Sequence, residues 1–90
     1  MSKSILFYWS KGAKVRVKLL NEIDKCSKKN EPCYLAVLAE KLNLSHVGAK
    51  KHLDLLVKEG FVRELNPQGK PIYVELSDTG KEVLKEFKRK

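Results

Sequence analysis

Apolar positions along the chain fall into four blocks with helical spacing and one with strand spacing. Between about Lys11 and Lys29, Leu19, Leu20, Ile23 and Cys26 recur on one face, with Val15 and Val17 beside it. Arg16 lies on that stripe one turn before Leu20, and is expected to snorkel its guanidinium outward at the helix end. In the next block Leu35, Leu38, Ala39 and Leu42 stand at i, i+3, i+4 and i+7, a short amphipathic helix. A third helix, from Ser45 to about Glu59, turns Ala49, Leu53 and Leu56 inward, with Val57 beside them. "FVREL" and "PIYVEL" alternate like strands, and a last helix places Val83, Leu84 and Phe87 on one side.

The punctuation between blocks fixes their order. Pro32 suits the first turn of a helix. Asn43 tolerates the left-handed backbone of a sharp helix exit, and Ser45 is a good N-cap two residues later. Gly60 stops the third helix. In "NPQGK", Pro67 and Gly69 follow Asn66 as a type I turn, which makes a β-hairpin. Ser77 caps the last helix. The predicted order is α-α-α-β-β-α, a mainly α chain with a small hairpin (α+β), in one domain over 1–90. Two helices joined so tightly form a helix-turn-helix, here about 34–59, with the hairpin at about 61–76 as its wing and the last helix at about 77–89.

That order gives the third helix a task. Ser45, His46, Val47, Gly48, Lys50 and Lys51 remain outside the buried stripe, at the end of the helix that enters the major groove in such motifs. Ser45 and His46 are short groups suited to base edges, and Lys50 and Lys51 to phosphates. Gly48 lets backbone approach closely, against a helix-propensity cost of about 1 kcal/mol. On the wing, Arg63, Gln68 and Lys70 are the candidates for backbone or minor-groove contact.

Charge agrees with a polyanionic partner. Ninety residues carry a net charge of +8, with a pI near 9.6, which favours nucleic acid first and an anionic membrane second; with the helix-turn-helix the expected partner is double-stranded DNA and no membrane. The basic residues are densest on the first helix (Lys11, Lys14, Arg16, Lys18, Lys25, Lys28 and Lys29) and not on the third. A non-specific, DNA-coating role and a protein-binding role therefore stay open beside a regulatory one. Sixteen Lys and eight Glu with a single Gln fit a thermophilic source. No apolar run approaches the roughly 20 residues of a membrane span, so a cytoplasmic location is expected.

"EPCYLAVLAEKLNLSHVGAKKHLDLLVKEGFVREL" with "YVELSDTGKEVL" resembles the winged helix-turn-helix regulators of the ArsR-like group, especially archaeal members, with MarR-like regulators a close second. The resemblance spans residues 13–85 and implies a DNA-binding transcription regulator. Metal-sensing members carry a Cys-x-Cys pair where this chain has Tyr34 and Ala36, so no metal is expected. Gly48 and Lys50 stand where the family more often has Thr and Ser, so base preferences do not carry over.

The remaining chemistry is sparse. His46 and His52 are separated by about 240° of helical rotation, and Asp54 lies opposite His52, so neither a metal pair nor an acid–base pair forms. His52 is read as half-buried and structural. Nothing points to an enzyme, a cofactor or a particular effector. Cys26 and Cys33 are either buried free thiols or a bridge between two helices. Ile5, Leu6, Phe7, Tyr8 and Trp9, with Val83, Leu84 and Phe87, are expected to build a two-fold homodimer interface.

Overall fold

The computed structural model describes residues 13–88. Its elements are α1 (Ala13–Lys28), α2 (Leu35–Leu42), α3 (His46–Lys58), β1 (Val62–Glu64), β2 (Val74–Leu76) and α4 (Asp78–Lys88). Their order is the predicted one, a winged helix. The strands are shorter than the alternating stretches suggested, and pair antiparallel with Val62 opposite Leu76, Arg63 opposite Glu75 and Glu64 opposite Val74.

Three helices end in the same way. Asn30, Asn43 and Gly60 have φ of 60°, 56° and 85°, and the residue after each donates its N–H back into the last turn. These bonds are Glu31 N to Cys26 O (2.9 Å), Leu44 N to Ala39 O (2.9 Å) and Phe61 N to Leu56 O (2.9 Å). A left-handed residue with this long back-bond is the Schellman stop, which satisfies carbonyls that would otherwise be orphaned. Asn43 and Gly60 were legible as stops; at the first corner the stop is Asn30, ahead of Pro32.

Helix α1 is the centre of the fold, packed against the other three helices and β2. Leu19, Leu20, Ile23, Cys26, Leu38, Leu56, Val62 and Val83 are fully buried. Helix α4 begins under the same roof: Ser77 Oγ donates to Gly60 O and accepts from Gly80 N (3.0 Å). A Cβ on Gly80 would meet Phe61 O at 2.0 Å, so only glycine lets α4 sit this close to the α3 exit.

Two expectations are corrected. Arg16 does not snorkel outward; it is 3% exposed, and its Nη1 lies 3.3 Å from His52 Nδ1. Helix α3 crosses over this part of α1, and its imidazole offers the guanidinium an acceptor inside. Val83 and Leu84 face the core of their own chain and are buried at 1% and 4% exposure, because α4 packs on α1. Neither is available to a second copy, while Phe87 is half-buried at the edge of the core. Ile5, Phe7, Tyr8 and Trp9 lie outside the described residues.

Candidate nucleic-acid interface

Only Asn43, Leu44 and Ser45 separate α2 from α3, which makes the joint a tight turn. The Schellman stop at Asn43 swings the chain out, and Ser45 at once caps the new helix by accepting from Gly48 N at 3.0 Å. A Cβ on Gly48 would lie 3.0 Å from Ser45 Oγ, so the glycine also gives the cap room. Ser45 therefore commits one lone pair to the helix and keeps its hydroxyl proton and a second lone pair to offer.

Ala49, Leu53 and Leu56 seat α3 on the core. The opposite face of its first turns is left to solvent. Ser45, His46, Lys50 and Lys51 are exposed there, and Val47 is 68% exposed, the most open large apolar side chain among the described residues. Lys50 is partly occupied, with Nζ 3.1 Å from Asp54 Oδ2 one turn on. Such an exposed i,i+4 pair is worth about 0.3–0.5 kcal/mol, so a phosphate competes for Lys50 easily. Lys51 carries no carboxylate among the described residues.

One side chain, Asn66, ties the tip of the wing. Gly69 N donates to Asn66 O (2.7 Å), closing the predicted turn. Asn66 Nδ2 donates to Pro71 O (3.1 Å), and Tyr73 N donates to Asn66 Oδ1 (2.7 Å). The amide thus ties both arms below the tip, while Gln68 and Lys70 stay exposed. Arg63 has another engagement: its Nη2 is 2.7 Å from Glu75 Oε2 directly across the hairpin.

Helix and wing face each other over a cleft of about 490 Å³, lined by His46, Lys50 and Leu53 on one side and Glu64, Lys70 and Ile72 on the other. The fold thus brings His46, Lys50 and Lys70 to one opening. His52 points away from it toward α1. Burial, and then the Arg16 charge, lower its pKa below the ordinary value of 6.5, which favours a neutral ring accepting at Nδ1. Among the described residues no group of three or more Cys, His, Asp or Glu is placed to hold a metal. The sequence did not reveal Asp54 and Glu75 as partners of Lys50 and Arg63, although the i,i+4 spacing of Lys50 and Asp54 carries the first of these pairs.

No known family matches this sequence, and no curated protein does. Solved structures do resemble the fold. The apo form of MarR from E. coli aligns with a TM-score of 0.69 at 23% identity, over 80% of this chain and 52% of that one. A mutant E. coli MarR complexed with operator DNA gives 0.66 at 24% identity, over 80% and 50%. The multiple antibiotic-resistance repressor from Listeria monocytogenes gives 0.65 at 23%, over 78% and 45%. The chain spans about half the length of these proteins. At such identity the likeness is one of fold, a winged helix of the MarR kind. It supports the second of the two resemblances read from the sequence, not the ArsR-like one.

Proposed function

We propose that this chain is a DNA-binding transcription regulator without catalytic activity of its own. Helix α3 enters the major groove by its first two turns, and the wing meets the flanking backbone or minor groove. The observation that carries this reading is the shared opening of His46 and Lys50 on α3 with Lys70 on the wing. A helix N-terminus beside a cationic loop suits phosphates and base edges together. The likeness to a MarR solved with operator DNA supports a DNA-binding role. We assign a homodimer as the acting form, since paired half-sites need paired recognition helices. Its contact falls to the apolar run Ile5–Trp9 and to Phe87, with Val83 and Leu84 withdrawn from it.

A second reading, a DNA-coating protein with little sequence preference, is favoured by the exposed Lys14 and Lys18 on α1, remote in sequence from α3. Titration against a selected duplex and a random one at several salt concentrations separates the two. A regulator gives a large ratio between them; a coating protein gives a steep salt slope and no ratio. Binding that is unchanged in Lys50→Ala plus Lys51→Ala but abolished by neutralising Lys14 and Lys18 would move the DNA face to α1.

A further inference from the structure

Cys26, in the last turn of α1, and Cys33, just before α2, are both buried free thiols in one core cluster. Cys26 lies close enough to Cys33 to act on its thiol and raise its pKa. The corner between them is already folded, with Asn30 in its left-handed conformation and Glu31 N bonded to Cys26 O at 2.9 Å. A cleft of about 320 Å³ reaches both residues, walled by Ser27, Glu31, Leu65 and Tyr73. Cys33 is also tied to the wing. Its carbonyl accepts from Val74 N at 3.0 Å, and the next residue, Tyr34, bridges to Tyr73 with the rings edge-on at 5.6 Å.

We propose that Cys26 and Cys33 are a redox pair, oxidised by a small-molecule disulfide to an intrachain bond that clamps the end of α1 to the root of the wing. The Cys33 thiolate, the less deeply buried of the two, attacks a sulfur of the reagent, which enters through the cleft, and expels one thiolate. The second cysteine, losing its proton, attacks the protein sulfur of the mixed disulfide and expels the other. Two electrons pass to the reagent, and its two thiolates take up two protons. Burial and the neighbouring Cys26 push the Cys33 thiol up to about 12, so its attack is slow at neutral pH. The exchange rate should rise about tenfold per pH unit between pH 7 and 8, following the thiolate fraction.

The test is incubation of the full chain with glutathione disulfide, then alkylation under denaturing conditions and intact mass. The expected product is a monomeric chain two hydrogens lighter with neither cysteine alkylated. Its thermal midpoint should rise by about 10 °C, from closure of a short loop in the unfolded chain. The Val74 amide should exchange at least several-fold more slowly. Cys26→Ala should retain one glutathione at Cys33 and gain no midpoint. Two alkylated thiols, a lasting glutathione adduct on the wild type or a cross-linked pair of chains would overturn the proposal. These readouts hold for wild type even where the variant fails to fold, and none involves DNA.

Discussion

The two halves of α3 are built on opposite terms. From Ser45 to Lys51 only Ala49 is buried, and the helix holds its shape by its own cap and by the Lys50–Asp54 pair. From His52 onward it is fastened to the rest of the molecule, by Leu53 and Leu56 in the core and by His52 against Arg16 of α1. One half anchors so that the other can project. Damage to the anchoring half should therefore cost stability, and damage to the projecting half should cost recognition.

The largest effect falls on the anchor. Leu56 is fully buried, and Leu56→Ala leaves a cavity where α3 meets α1 and the wing. A loss of about 2–5 kcal/mol is expected from urea unfolding, a large share of the stability of so small a domain. A loss under about 1 kcal/mol would mean that this half is not what holds α3.

The next effect belongs to the projecting half. His46→Ala should leave the unfolding midpoint nearly unchanged and cost about 1–3 kcal/mol on the preferred duplex, with little change on random DNA. Equal losses on both duplexes would make His46 a backbone contact and leave the specificity elsewhere. Exposed Val47 can be probed from the DNA side: replacing thymines of the selected site one at a time by deoxyuridine removes the methyl group an apolar side chain would touch.

A third and smaller comparison divides the two lysines. Lys51 has its charge fully available, whereas Lys50 is shared with Asp54. Lys51→Ala should lower the salt slope by about one unit, uniformly across sequences, and Lys50→Ala by less. Asp54→Asn should strengthen binding slightly by releasing Lys50. Identical slopes for the two alanine variants, with no effect of Asp54→Asn, would show the ion pair to be irrelevant in the bound state.

What the sequence disclosed follows the same division. Periodicity marks which face of a helix is buried, and Asn43, Ser45 and Gly60 mark its ends, because both are local properties of the chain. The projecting half of α3 was therefore readable. The joints between elements were not. Arg16 looked like a cation needing an exit because nothing local says that His52, thirty-six positions on, supplies an acceptor. Val83 and Leu84 looked available to a second copy because an apolar stripe does not say which surface covers it. The Cys33 and Tyr34 attachment to β2, and Glu75 opposite Arg63, likewise come from tertiary pairing alone.

The smallest effect tests the His52–Arg16 fastening itself. With Nδ1 accepting from Arg16, a neutral His52 carries its proton on Nε2, and a second proton would face a buried guanidinium. Burial first, and then the Arg16 charge, hold the folded pKa below 6.5, the ordinary value that the unfolded chain keeps. As pH falls through 6.5 the unfolded chain takes up a proton that the folded chain refuses, so stability declines toward acid until the folded pKa is passed. Urea midpoints between pH 8 and pH 5 should drift downward in the wild type. In His52→Asn, whose side-chain oxygen still accepts from Arg16 but does not titrate, most of that drift should vanish. Every other group is common to both proteins, so the difference between the two curves reports His52 alone. Parallel curves would mean that His52 is protonated as readily in the fold as out of it, and that Arg16 does not fasten α3 through this ring.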